Sequence, residues 1–430
     1  MGMRVFVKSY GCSANLADSE VLLGCLLKAG YEQVTSILEA DIVIVNSCAV
    51  KGPTENRIIF ALKNLPKNKK VIVAGCLPVI NFERLLREVR YDGLIGPAAG
   101  KTIVSVVQRV IKGENVIELG NALDSIPDLS LPSKKLNPVI SIIPVNYGCL
   151  GSCTYCCVVF ARGNLRSYSI TDIVHRVKKD LRAGAKEFWI TSQDVGCYGK
   201  DIGTNIIELL YSLCNIKGTF YLRLGMINPN MVQPILEDLI TVFHNPKIFK
   251  FLHLPVQSGD AIILGKMQRF YSIEQFKDII TKFRATIPDI TIATDVICGF
   301  PGENLNAFSN TLQLIKDVNP DIVNVSKFFA RPKTMAAKMK DNLVDLREIK
   351  RRTTETANLA RKISITKNKH WEGWIGDVLI DEIGKKPSSW MGRNFAYKPV
   401  VIKSSDNLLG KTMKTKIITT FPTYLLAKIC

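Results

Sequence analysis

Short apolar runs separated by amphipathic stretches dominate the first three quarters of the chain. Near the N-terminus the runs are Arg4–Lys8, Asp41–Val45 and Lys70–Ala74. Helical periodicity lies between them, as in Ser19–Ala29, which Gly30 closes. This alternation predicts parallel strands joined by crossover helices, hence an α/β domain over residues 1–124. Residues 125–138 (SIPDLSLPSKKLNP) carry Ser, Pro and Lys without periodicity and read as a linker. Strand and helix signals then repeat about six times. The expected strands are Val139–Val145, Glu187–Thr191, Phe220–Leu224, Phe251–Pro255, Thr291–Ile297 and Ile322–Phe328, and the helices include Ile170–Ala183, Asn205–Cys214 and Ile273–Ala285. Six units fall short of the eight of a closed barrel, so a partial, open (β/α)6 barrel is expected over residues 139–366. Residues 341–369 read as a charged helix. From Trp371 the pattern changes to short alternating runs (Asp377–Ile380, Lys398–Ile402, Thr415–Ile418) spaced by Gly and Pro. That predicts a small all-β module over residues 367–430.

Charge adds a partner to this picture. The 57 Lys and Arg exceed the 38 Asp and Glu by 19, an excess that suits a polyanion such as nucleic acid. Within residues 367–430 there are 11 Lys and Arg against 5 Asp and Glu, interleaved with Trp371, Trp374, Trp390, Phe395 and Tyr397. Basic groups grip phosphate and aromatics stack on unpaired bases. A small barrel also needs aromatics for its core, the role expected of Trp371 and Trp374. Arg393, Lys398, Lys411 and Lys414 are the expected RNA contacts. No apolar run reaches the ~20 residues that span a bilayer. The N-terminal segment runs straight into a strand pattern rather than a leader, so a cytoplasmic protein with no membrane partner is expected.

In such a compartment thiols stay reduced, and 12 cysteines point to metal or redox chemistry. With only four His, a histidine-rich zinc site is disfavoured. The stretch Asn146-Tyr147-Gly148-Cys149-Leu150-Gly151-Ser152-Cys153-Thr154-Tyr155-Cys156 follows the first strand of the central domain. Its Cys-x3-Cys-x2-Cys spacing lets three thiolates converge on one centre. A cubane iron–sulfur cluster normally takes four thiolates, so three leave one iron open. A zinc site would show paired knuckles separated by a longer span, which does not follow here. A second set has no local motif. Cys12, Cys48 and Cys76 each come just after an expected parallel strand, and those ends share one sheet edge. Three independently buried thiols are the alternative. Cys25 and Cys157 read as packing, as does Cys197, although its loop could line a site.

With both triplets placed, the chain resembles the methylthiotransferase family of radical S-adenosylmethionine (SAM) enzymes. In the N-terminal domain the resemblance rests on Gly11-Cys12-Ser13-Ala14-Asn15, Asp18-Ser19-Glu20, Val45-Asn46-Ser47-Cys48 and Ala74-Gly75-Cys76. In the central domain it rests on Thr191–Asp194, Gly225–Pro229, His253–Gly259 and Thr294–Glu303. Residues 367–430 resemble a TRAM domain, an RNA-binding β-barrel. The resemblance implies two [4Fe-4S] clusters. The one at Cys149, Cys153 and Cys156 generates a 5′-deoxyadenosyl radical from SAM. The one at Cys12, Cys48 and Cys76 carries the sulfur to be inserted, and a second SAM supplies the methyl group. A reductant protein and a sulfur source are implied as further partners.

The Ala161-Arg162-Gly163 and Ser167-Tyr168 pattern is similar to the archaeal and eukaryotic branch. That branch methylthiolates N6-threonylcarbamoyladenosine at position 37 of tRNA, at C2 of the adenine. Eukaryotic members carry a C-terminal membrane anchor; the chain as given ends at Cys430 without one, which leans the resemblance towards archaea. The runner-up within the same chemistry is a ribosomal protein aspartate as substrate. A non-catalytic iron–sulfur or zinc-stabilised RNA-binding protein is the alternative of another class. The resemblance further implies that Tyr155 faces the SAM adenine, and that Gln193, Asp194, Gln257, Ser258 and Asp295 serve SAM at strand ends. Turn and loop capping is the alternative for these residues. Arg162 and Arg166 are expected to meet SAM carboxylate or RNA phosphate, or to be solvated.

Overall fold

The computed structural model describes residues 2–120 and 126–430. Residues 121–125, where the expected boundary between domain and linker falls, lie outside the described residues. The first sheet has six strands: β1 (Arg4–Ser9), β2 (Glu32–Gln33), β3 (Ile42–Ser47), β4 (Lys70–Gly75), β5 (Gly93–Ile95) and β6 (Val116–Glu118). Their order is β2-β1-β3-β4-β5-β6, and every pairing is parallel. β3 is buried along its whole length, which is why it reads as a continuous apolar run. The short β5 and β6 escaped the sequence pattern, which needs more residues to declare a period.

The central strands are β7 (Ile140–Pro144), β8 (Asn146–Tyr147), β9 (Arg166–Ser167), β10 (Glu187–Thr191), β11 (Tyr221–Leu224), β12 (Phe251–His253), β13 (Thr291–Cys298) and β14 (Ile322–Lys327). Two parallel three-stranded sheets, β11-β10-β7 and β12-β13-β14, stand side by side. A single bridge, Leu222 to Ile248, marks the seam. The result is the expected open six-stranded barrel. Its β7 edge is covered by helix α1 (Ser13–Lys28), whose Leu16 and Ala17 pack on Ile140, Ile142 and Trp189. The N-terminal domain thus closes the side that a full barrel would close with more strands.

The chain ends in a closed five-stranded barrel, β15 (Ile375–Ile383), β16 (Ser389–Arg393), β17 (Pro399–Lys403), β18 (Thr412–Thr420) and β19 (Leu425–Ile429). This is consistent with the TRAM expectation. Trp371 is buried in its core with Trp374 against it, as anticipated. The expected linker is a strap rather than a tether. Lys134 N–H donates to Glu20 O, Lys135 pairs with Asp180, and Asn137 Nδ2 donates to Asp381 O. No helix among the described residues is long and apolar enough to cross a membrane.

Candidate active site

Cys12, Cys48 and Cys76 follow β1, β3 and β4, three consecutive strands of the sheet. Adjacent strands lie about 4.8 Å apart, so three consecutive strand ends place the three cysteines along one edge of the sheet. β1 and β3 also flank the point where the strand order reverses, the crevice where such sheets bind ligands. The loops are held by a buried amide network. Asn15 Nδ2 donates to Asn46 Oδ1 at 2.8 Å, and Asn46 Nδ2 donates to Ser19 Oγ at 2.8 Å. Gly75 has φ +95°, and a Cβ there would sit 2.4 Å from Asn46 Oδ1 and Ser47 O. Cys12 is exposed, Cys48 half-buried and Cys76 buried. Burial raises the Cys48 thiol and pushes Cys76 up to about 12, while the nearby Arg162 charge opposes both shifts.

The second triplet sits beyond the carboxyl end of β7. Gly148 turns the chain into it with φ +73°, and a Cβ there would lie 1.9 Å from Asn164 O. Gly151 N–H lies 3.1 Å from Cys149 Sγ, and Arg269 Nη1 lies 3.5 Å from Cys153 Sγ. Burial pushes Cys156 up to about 12, with the neighbouring thiols Cys153 and Cys149 adding to it. Tyr155 packs edge-on against Phe300 at 6.4 Å.

Cys197 is fully buried and does more than pack. It hydrogen-bonds Cys149 and thereby lowers the Cys149 thiol, with Asp194 completing a cluster whose ligand atoms lie within 4.8 Å of one another. Asp194 Oδ1 already accepts from Gly196 N–H and Asn228 N–H, so it caps the turn after β10. No sequence signal marked Cys197 as a neighbour of the triplet, because the contact joins two loops. Gln193 Oε1, Asn228 Oδ1 and Asn230 Oδ1 are buried without a hydrogen-bond partner among the described residues. They lie at the ends of β10 and β11 and suit a polar ligand. Gln257 holds a left-handed backbone, φ +70°, and its amide donates to Asp295 O. Ser258 Oγ accepts from Asp260 N–H, a turn cap. Asp295 accepts from His253 Nε2 at 3.1 Å and from Asn324 Nδ2 at 2.7 Å. Burial would raise its carboxyl, but these donors hold it below the usual range.

Three expectations are corrected. Arg162 meets neither solvent nor an open phosphate surface: it is 1% exposed, and Nη2 donates to Asp18 Oδ2 at 2.6 Å. Lys398 is buried against Asp321 at 2.7 Å, and Arg393 bonds Asp381 at 3.1 Å and Glu382 at 3.3 Å, so both side chains are engaged internally. Tyr397 likewise packs on Phe249 and Phe251 at the joint between the two barrels. Lys411 and Lys414 are exposed.

Residues 4–96 match the model described as uncharacterized protein family UPF0004, and residues 143–315 match the radical SAM superfamily. A probable threonylcarbamoyladenosine tRNA methylthiotransferase of Pyrococcus abyssi is 40% identical over 99% of both chains. The chain belongs to the threonylcarbamoyladenosine tRNA methylthiotransferase family. The human member is 36% identical over 96% of this chain and 72% of its own. In fold alone the chain is similar to a radical SAM methyltransferase of Kitasatospora setae, with TM-score 0.54 and 13% identity over 76% of this chain and 73% of that one. As a radical SAM member of this family the chain uses an iron–sulfur cluster and SAM. The Cys149/Cys153/Cys156 set fits thiolate-ligated iron: no cysteine among the described residues is in a disulfide, and Gly151 N–H and Arg269 Nη1 reach its sulfurs. At the other set Val50 N–H lies 3.5 Å from Cys48 Sγ.

Proposed function

We propose that this protein methylthiolates N6-threonylcarbamoyladenosine at position 37 of tRNA, at C2 of the adenine, with two [4Fe-4S] clusters. One cluster, with SAM on its open iron, would supply the 5′-deoxyadenosyl radical, and the other would carry the sulfur. Cys149, Cys153 and Cys156 hold the first, and Cys12, Cys48 and Cys76 the second. Tyr155, Gln193, Asp194, Gln257, Ser258 and Asp295 form the SAM side of the barrel mouth. Of these, Gln193 is supported by its orphaned buried oxygen, whereas Ser258 and Asp194 also act as caps.

What supports this reading is that each thiol triplet follows carboxyl ends of parallel strands, in two domains joined by polar contacts beside those loops. Ser13 Oγ lies 2.7 Å from Thr191 Oγ1, and Tyr147 OH donates to Asp18 Oδ1 at 2.8 Å. Sulfur carried at one site is thereby held close to the radical chemistry of the other. The domain division 1–124, 139–366 and 367–430, with 125–138 as a strap, accords with the sheet topology. A reductant protein and a sulfur source complete the partners. The test is mass spectrometry of tRNA nucleosides after anaerobic turnover with SAM and a reductant. The expected product is the 2-methylthio derivative, and about eight irons per chain are expected alongside it. One zinc without iron, or unchanged nucleoside, would sink the proposal.

A further inference from the structure

The segment after Cys156 leaves the barrel and enters the N-terminal domain. Cys157 and Ala161 lie in the same apolar core as Cys76 and Leu77. Cys157 Sγ lies 3.5 Å from Ala49 O. The short helix Val158–Arg162 packs against the turn Cys76–Ile80 and ends on Arg162. The central domain thus delivers one cation beneath thiols that belong to the N-terminal domain.

Asp18 and Tyr147 fix that cation. Arg162 Nη2 donates to Asp18 Oδ2 at 2.6 Å, and its guanidinium carbon lies 5.4 Å from the Tyr147 ring centre. Tyr147 OH occupies the other Asp18 oxygen at 2.8 Å. Arg162 Nη1 is equally buried and has no hydrogen-bond partner among the described residues. After Asp18, the groups whose charge acts on this guanidinium most are Cys76 and Cys12, and Cys48 feels it too. A buried donor without a partner is costly, and a fold that keeps one has a use for it. Guanidinium is a rigid fork, so one nitrogen can hold Asp18 while another reaches a ligand; an ammonium could not do both in one plane.

We propose that Arg162 Nη1 donates to an anionic sulfur ligand, hydrosulfide or methanethiolate, held at the Cys12/Cys48/Cys76 site. Arg162 is then a ligand-positioning residue that couples the two domains. The inference rests on the sulfur-carrying role proposed above. Because Cys12 is exposed and Cys76 buried, the ligand enters over Cys12. Three thiolates and an anionic sulfur crowd negative charge into one place, and the guanidinium offsets it in a water-poor setting.

The experiment uses the full chain reconstituted anaerobically with iron and sulfide, with sodium methanethiolate as probe. Electron paramagnetic resonance reads the reduced clusters, and a redox titration reads their midpoint potentials. The test variant combines Arg162→Gln with Asp18→Asn, so that no carboxylate is left buried and unpaired. Relative to wild type, half-saturation by methanethiolate should rise roughly tenfold or more, the size expected for a lost charge-assisted hydrogen bond. The midpoint of the same cluster should stay near the wild-type value, because one cation and one anion are removed together, so the weakened affinity reports the lost hydrogen bond rather than a change of net charge. If the double variant does not hold its iron, Arg162→Lys with Asp18 retained carries the same affinity test. Wild-type affinity in the variant would overturn the role of Arg162. A wild type with no methanethiolate-sensitive cluster, or with only about four irons, would instead overturn the two-cluster reading and this inference with it.

Discussion

Arg269 places a buried guanidinium against the Cys149/Cys153/Cys156 triplet. Nη1 lies 3.5 Å from Cys153 Sγ, and Nη2 donates to Pro255 O at 2.8 Å. Removing its charge as Arg269→Met should slow reductive SAM cleavage about tenfold, measured as 5′-deoxyadenosine formed per chain under dithionite. Cys149→Ala should abolish that cleavage, because it removes one of three thiolates. Cys48→Ala should divide the two halves of the reaction: 5′-deoxyadenosine still forms, while 2-methylthio nucleoside is absent from the mass spectrum. Methylthiolated product from Cys48→Ala would remove the sulfur role from that residue. The thiols themselves were legible in the sequence from spacing and strand ends. Cys197 was not, since its contact with Cys149 spans two loops that only the fold brings together.

At the scale of elements, helix α1 begins at Ser13, earlier than the apolar period announces at Ser19. Asn15 and Asp18 precede that period and, like Ser19 at its start, are polar, yet all three are buried. Their polar groups are satisfied by Asn46, Arg162 and Tyr147, partners from other elements that a local pattern cannot contain. The loop before Cys149 makes the converse point, since Gly148 is required by its own backbone. Gly148→Ala should cost about 1–3 kcal/mol locally, from the left-handed φ and the clash with Asn164 O, and lower the iron retained on reconstitution. The joint between the barrels carries a pH dependence. Burial pushes the Asp381 carboxyl up to about 8; the nearby Glu187 carboxylate adds to this, while Arg393 opposes it. Between the ordinary carboxylate range and about pH 8 the unfolded chain has lost this proton and the folded chain keeps it. Stability therefore falls as pH rises through that window. Thermal melts of Asp381→Asn across the same range should show a flatter profile than wild type.

For the whole molecule, the excess of 19 positive charges is a property of its surface only in part. Lys398, Arg393 and Arg162 place theirs inside, on Asp321, Glu382 and Asp18. What remains on the C-terminal barrel is organised. Lys416 on β18 faces Lys428 on β19 as a direct cross-strand pair, and both are exposed. Like charges so placed repel, which the phosphates of an RNA would relieve. With Lys411 just before β18 and Lys414 on it, both exposed, this is the surface expected to grip tRNA. Lys416→Gln with Lys428→Gln should weaken tRNA binding and reduce the slope of log affinity against log salt by about 2, measured by filter binding. An unchanged slope would move the contact elsewhere.

The sequence alone determined what depends on neighbours along the chain: the order of strands and helices, the three-cysteine loop, the strand ends that carry Cys12, Cys48 and Cys76, and the net charge. These are set by periodicity, turn chemistry and ligand spacing, each complete within a few residues. Only the tertiary structure decided which charges face water and which face each other. Arg162 and Lys398 are identical in sequence terms to any solvated cation, and burial against a carboxylate from a distant element gives them a different role. It also decided that α1 would cover the open edge of the barrel and tie the loop before Cys149 to the N-terminal domain through Tyr147 and Asp18. That placement is a matter of packing one domain on another, and no local pattern encodes it.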